Sequence, residues 1–385
     1  RGGRRAGTDP LLPAIGRSGP PGACGAARRQ VKGMPKRSDL LWRDRASADL
    51  AFGCLTEMEI SGPVLAMQDP LPDLEAAIRT SGLDVVPYHR RAFGGRDAAT
   101  WPPSGPFHGA ILRLPRGKEE LSMSLSAAAS GLLRFGWILV YGAKDEGIQA
   151  AAPHLAELFS DVETVAVWGR CRVLNGALLR GGAPERPSLD DWKSRSSLGY
   201  PELPEEWISY PGVFAHGRLD EGTRLLLDAL PDFGPGTRIR DYGCGTGVVG
   251  CVARNRGEDV HMELLDVDAV ALEAARQNVP GATLWLSDGL PPGETGPYQA
   301  IISNPPFHRG KAEDPELIIS LISGSRALLG RNGRLIFVAQ KRLSLEKEMD
   351  RHFYRVEVLA DHGAFRVWEG HRPRKSGELR RDRRR

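Results

Sequence analysis

The segment Ile302-Ser303-Asn304-Pro305-Pro306-Phe307-His308 closes an apolar run on a side-chain amide, two prolines and an aromatic ring. Residues of these types suit one kind of chemistry, the alkylation of a planar, conjugated nitrogen. Such a nitrogen is a poor nucleophile because its lone pair is delocalised. Two acceptors, the Asn304 side-chain oxygen and the Pro305 carbonyl, can take both N–H protons and aim the lone pair at an electrophilic carbon. Pro305 and Pro306 fix φ and remove two backbone donors, which keeps the acceptors in place. Phe307 can stack on a flipped-out base. A Pro-Pro turn ending a buried strand is the plainer alternative. His308 reads as a loop residue rather than a base, since a neutral amine can lose its proton after transfer.

A second constellation lies upstream. In "RDYGCGTGVVG" the glycines Gly243, Gly245 and Gly247 follow an expected strand and open an expected helix, so the backbone can turn tightly and approach a ligand. Gly245 to Gly250 also fits the dinucleotide pattern G-x-G-x-x-G, with Asp266 at a suitable distance for a ribose. Charge separates the two readings. A pyrophosphate at this helix start would lie close to Asp241 and be repelled, whereas the sulfonium and ammonium of S-adenosylmethionine would be held there, directly or through water. The expected cofactor is therefore S-adenosylmethionine. Asp266 can accept both ribose hydroxyls, although a helix cap is an alternative that Asp268 could supply instead. Asp288, before Gly289, either accepts from the adenine amino group or serves a turn.

These residues need a scaffold. The 385 residues are 41% hydrophobic and 26% charged, enough for two cores. Residues 1–66, rich in Gly, Pro and Arg without sustained periodicity, read as a disordered basic leader; residues 373–385 read as a basic tail. From "PLPDLEAAIRTSG" helices and strands alternate through "GAILRLP", "KEELSMSLSAAASGLL", "GWILVYG", "EGIQAAAPHLAELF" and "ETVAVWG", giving a first domain over 67–205. A Pro- and Trp-containing link, "DDWKSRSSLGYPELPEEWISYPG", precedes a second domain over 206–372. Its strands, from "TRIRDYG" and "HMELLDVD" to "YQAIISN" and "GRLIFVAQ", alternate with helices, which implies a mostly parallel sheet with ligands at its carboxyl ends.

The five cysteines are scattered, without a Cys-x-x-Cys pair, which suits a reducing cytoplasm and argues against a metal site. The apolar window from Leu132 is interrupted by Arg134 and too short to span a bilayer, and no continuous apolar stretch marks a leader peptide. The chain does not open on methionine; Met34, Met58 and Met67 are candidate native starts, which mass spectrometry of the native N-terminus distinguishes.

Together "DYGCGTG", Asp266 and "SNPPFH" resemble the class I S-adenosylmethionine-dependent methyltransferases of exocyclic and amide nitrogens. "PGVFAHGRLDEGTRLLLDAL", "IISNPPFHRG" and "FRVWEGHR" narrow the likeness to the two-domain guanine-N2 methyltransferases of small-subunit (16S) ribosomal RNA, over roughly residues 130–372. The resemblance implies two tandem Rossmann-like methyltransferase-type α/β domains, the N-terminal one degenerate and given to RNA recognition. It implies cofactor binding by Gly243, Gly245, Asp266 and Asp288, with Asp220 and Gly222 near the cofactor. Residues Asn304 to Phe307 would receive the amine of a guanine in ribosomal RNA or the small subunit. The arginines of "TRIRD" depart from the apolar first strand usual in such enzymes and put its packing in doubt. Methylation of a protein glutamine or DNA adenine is the chemical rival; a non-catalytic RNA-binding assembly protein is the rival of another class.

Overall fold

A computed structural model describes residues 41–181, 186–290, 296–305, 308–309, 312–313 and 315–375. The first half runs α1 (Trp42–Thr56), β1 (Val64–Met67), α2 (Asp73–Thr80), β2 (Val85–Tyr88), β3 (Phe107–Arg113), α3 (Lys118–Gly131), β4 (Leu132–Ala143), α4 (Ala151–Leu158), β5 (Phe159–Trp168) and β6 (Cys171–Leu179). A hairpin of β7 (Ser194–Ser196) and β8 (Trp207–Ser209) joins it to the second half. There follow α5 (Glu221–Ala229), β9 (Arg238–Tyr242), α6 (Val248–Asn255), β10 (His261–Asp266), α7 (Ala269–Asn278), β11 (Thr283–Leu286) and β12 (Tyr298–Ser303). The short ladder of β13 (His308–Arg309) and β14 (Ala312–Glu313) precedes α8 (Pro315–Leu328), β15 (Leu329–Gln340), α9 (Glu346–His352), β16 (Phe353–His362) and β17 (Phe365–Pro373).

The second sheet has the order β11-β10-β9-β12-β15-β17-β16, with only β17 antiparallel to its neighbours. Strand order reverses between β9 and β12, the kind of switch point at which ligands bind in such sheets, and the glycine turn and Asn304 both fall at the carboxyl ends of these two strands. Helices cover both faces, and Ile301 and Ile302 accordingly enter different cores. That is why this strand reads as a continuous apolar run rather than an alternating one.

The first sheet, β2-β1-β3-β4-β6-β5, repeats this plan without a counterpart of β11. Registers align the copies: Ile111 faces Ala66 and Leu139 in the first sheet, as Ile302 faces Asp241 and Ile336 in the second. The ladders slip at matching places, between Phe107 and Gly109 and between Tyr298 and Ala300. Buried Phe159 lies against Gly176 as buried Phe353 lies against Gly370. Carried along the registers, Ala66 stands where the second copy has Asp241, His89 where it has Asp266, and Arg113 where it has Asn304. Arg113 is held by Asp44 and Glu146, each at 2.7 Å. A guanidinium offers no acceptor, and Ala66 removes the carboxylate of Asp241, so the first copy differs in chemistry as well as in strand number.

Two expectations are corrected. Residues 1–66 do not all lack a core: α1 buries Ala46, Ser47, Ala48, Ala51, Cys54 and Leu55, and all of β1 is buried. Small side chains let α1 pack closely on the sheet while leaving a weak hydropathy signal. Residues 1–40 and 376–385 lie outside the described residues. Nor do the β9 arginines disturb the sheet. Arg240 is 0% exposed and paired with Glu263, which also accepts from Arg238 Nε (2.6 Å), Tyr298 Oη (2.8 Å) and Trp285 Nε1 (2.9 Å). The Arg240 guanidinium lies 4.8 Å from the centroid of the Tyr298 ring, so ion pair and aromatic face together offset the cost of burying its charge.

The halves meet at Arg90, which is 1% exposed. Its Nε donates to both oxygens of Asp268 (2.7 and 2.9 Å) and its Nη1 to the Pro211 carbonyl (2.6 Å), with Glu120 at 3.4 Å. Asp268 also caps α7 by accepting from Val270 and Ala271 amides. Burial opposes its charge, but Arg90 and Arg91 outweigh that and hold its carboxyl below the usual range. Removing one partner of such a pair leaves the other charged and buried, so Arg90→Ala should cost about 3–5 kcal/mol of stability in urea unfolding. A loss under about 1 kcal/mol, the range of an exposed pair, would contradict this account of the joint.

Candidate functional site

The chain turns at the end of β9 because three glycines take left-handed backbone, with φ of 70° at Gly243, 54° at Gly245 and 87° at Gly247. L-residues with side chains rarely adopt these values. The turn is fastened from several sides. The amides of Gly243 and Cys244 both donate to the Leu265 carbonyl, and the Gly245 amide donates to Asp266 Oδ2 at 2.8 Å. Below, Trp207 Nε1 donates to Thr246 Oγ1, and Asn278 Nδ2 donates to the Thr246 carbonyl. The hairpin between the halves thus forms the floor of the turn. A Cβ placed on Gly245 would meet no atom within 4 Å, so one side of the turn is open for close approach.

Asp241 and Asp266 flank this turn in different ways. Asp241 is 1% exposed; its Oδ2 accepts from the Gly250 amide at 2.9 Å, while its buried Oδ1 has no hydrogen-bond partner among the described residues. Burial, with a contribution from the Asp266 charge, pushes its carboxyl up to about 7. Asp266, partly exposed at the end of β10, accepts from Gly245 on one oxygen and from Asp268 N on the other (2.9 Å). Each oxygen retains a second lone pair. Burial first, then the Asp268 charge, push its carboxyl up to about 6.

At the end of β12, Asn304 Nδ2 donates to Thr223 Oγ1 at 2.7 Å and to Asp220 Oδ2 at 3.4 Å. Asp220 caps α5, accepting from the Thr223 amide at 3.1 Å and from the Thr223 hydroxyl at 3.4 Å. A carboxylate has no proton to give, so the nitrogen side of the Asn304 amide must face it and the oxygen must point away. Pro305 is buried; Pro306 and Phe307 lie outside the described residues. His308 begins the short ladder with β14. Asp288, exposed beyond β11, accepts from the Gly94 amide of the first half at 2.9 Å. The structure therefore gathers Asp241, Asp266 and the glycines in one group and Asp220 with Asn304 in another, while Asp288 reaches across to the first half.

Thr223 and the segment around Gly94 did not emerge from the sequence. The first carries a legible signal, since Asp-x-x-Thr at a helix start is a capping pattern that brings the two side chains together. The second carries none, because its partner is 194 residues away.

Asp241 gives a pH signature. Its carboxyl loses a proton near 3.8 when unfolded and near 7 when folded, so between these values the folded chain holds more protons. Its contribution to stability therefore falls as pH rises across that window and is lowest above 7. Asp241→Asn cannot ionise. In urea unfolding at pH 5 and pH 8, the difference in stability between the variant and the wild type should shift in the variant's favour at pH 8. An unchanged difference would show that Asp241 is not buried as described.

Residues 206–369 match the family model of the methyltransferase small domain. The ribosomal RNA small subunit methyltransferase C of Hahella chejuensis is 30% identical over 327 residues, covering 80% of this chain and 94% of its own length. Its Pseudomonas syringae counterpart is 31% identical over 351 residues, covering 88% of this chain and all of its own. Among solved structures, a T. thermophilus 16S rRNA N2-guanine methyltransferase in complex with AdoMet and guanosine superposes with a TM-score of 0.71 at 22% identity, covering 85% of this chain and 92% of its own.

Proposed function

The chain belongs to the ribosomal RNA small subunit methyltransferase C family, and we propose that it transfers a methyl group from S-adenosylmethionine to the exocyclic N2 amine of a guanine in 16S rRNA. The observation that carries the reading is the orientation of Asn304, whose nitrogen is engaged by Thr223 and Asp220 while its oxygen is left to accept.

The cofactor fits the residues present. Three carboxylates, an open glycine turn and a buried, partnerless Asp241 oxygen suit a cation bearing a nucleoside, and would repel a pyrophosphate. In this reading Gly243, Gly245 and Gly247 admit the cofactor to the backbone and Asp266 accepts from its ribose. Asp288 accepts from its adenine, and Asp241, whose ionised form a neighbouring cation favours, faces its methionine end. When bound, S-adenosylmethionine supplies an electrophilic methyl carbon. The chain's part is positional: Asn304 Oδ1 and the Pro305 carbonyl hold the two N2 protons, Phe307 stacks on the base, and Pro306 stiffens the loop. As the C–N bond forms, N2 becomes cationic and sheds one proton. Its acidity then removes any need for a strong base. Asp220 and Thr223 are positioning residues acting through Asn304.

The N-terminal copy, without cofactor chemistry of its own, is read as the RNA-recognition domain, for a substrate that is ribosomal RNA or the small ribosomal subunit. Among the described residues no helix is long and apolar enough to cross a membrane. We assign the chain to the cytoplasm, where such substrates are made.

Tritiated cofactor offered with 16S rRNA, small subunits, DNA and protein substrates should label the RNA, and labelling of protein alone would overturn the reading. Asn304→Ala should abolish transfer while leaving cofactor affinity within about twofold; equal loss of both would show a different role. Thr223→Val, which removes the acceptor for Asn304 Nδ2, should lower kcat about tenfold, the weight of one hydrogen bond, with little change in the KM for cofactor. An unchanged kcat would show that the amide needs no such anchor.

A further inference from the structure

Among the described residues the degenerate copy has no counterpart of β11, and the chain that leaves β2 does something else. Residues 90–95 cross to the second half and lie beside the loop after β10. Ala92 N donates to the Val267 carbonyl at 2.9 Å and Ala269 N to the Arg90 carbonyl at 3.0 Å. Two residues further on, the Gly94 amide donates to Asp288 Oδ2. Phe93 is thus held between one anchor beside Asp266 and another on Asp288, the two acids assigned to the ribose and the adenine. Gly94 and Gly95 take left-handed backbone (φ 65° and 76°), which turns the segment at this point. Phe93 is 42% exposed, so its ring is accessible to a ligand lying between these two anchors.

We propose that the N-terminal copy completes the cofactor site, with Phe93 stacking on the adenine and the Gly94 amide orienting the Asp288 carboxylate toward the adenine amino group. The inference rests on the cofactor reading above and adds a residue from the other half of the chain. It also gives the missing strand a consequence: without a β11 counterpart, the segment is free to serve its neighbour's pocket. Because the ring touches only the base, its loss should weaken every ligand containing the nucleoside by the same factor.

Calorimetric titration of the full chain with S-adenosylmethionine and with 5′-methylthioadenosine, which lacks the amino-acid tail, tests this. Phe93→Ala should weaken both by roughly tenfold or more, the weight of one base–aromatic stack. Phe93→Tyr should restore both, and the ligand-free thermal midpoint should stay within about a degree because the ring is already exposed. Unchanged affinities in Phe93→Ala, or a loss that Phe93→Tyr does not restore, overturn the inference while the cofactor reading stands. Failure of the wild type to take up either ligand overturns both.

Discussion

The side-chain amide of Asn304 has two faces, and the proposed chemistry depends on which one is turned outward. Thr223 and Asp220 decide it by occupying the nitrogen. Everything else in the second half can be read as holding that arrangement at the right height. Parallel strands β9 and β12 bring the glycine turn and Asn304 to one edge of the sheet, at the reversal of strand order. α5 begins at Asp220 and carries Thr223 one turn in, so the same helix start that satisfies backbone amides also orients the acceptor. A residue that must draw an amine's protons without competing for its lone pair needs this kind of external constraint, because an unrestrained amide presents donor and acceptor with similar ease.

The second organising feature is the pairing of a working copy with a degenerate one. The first sheet keeps the framework, including the register slips and the phenylalanine–glycine contacts, while Ala66, His89 and Arg113 stand in place of Asp241, Asp266 and Asn304. Arg113 fills its site with an ion pair to Asp44 and Glu146. The halves are joined through Asp268, two residues beyond Asp266, so the joint and the cofactor edge share one short loop. Arg90 and the glycine turn thus both bond to the Asp266–Asp268 loop.

How much of this was legible in the sequence follows from the range over which each feature is determined. The glycine turn and Asn-Pro-Pro loop depend on φ preferences and neighbouring residues, and their place at strand ends was readable from the local pattern. The α/β alternation was equally plain where helices are amphipathic, as at α5. Helix α1 was hidden because its buried face is built mostly from Ala and Ser, and β1 because four consecutive buried residues show no period. Arg238 and Arg240 looked like flaws because their partners Glu263, Trp285 and Tyr298 come from three other strands. Gly94 and Asp288 meet only after both halves fold, and no local pattern encodes such a contact.

The central claim concerns one atom, and a crystal structure of the full chain with the demethylated cofactor and guanosine would address it most directly. The account predicts the guanine N2 at hydrogen-bond distance, about 3 Å, from both Asn304 Oδ1 and the Pro305 carbonyl, with Asn304 Nδ2 still on Thr223. A complex in which Asn304 turns its nitrogen to guanine O6, or in which N2 lies away from both acceptors, would contradict it.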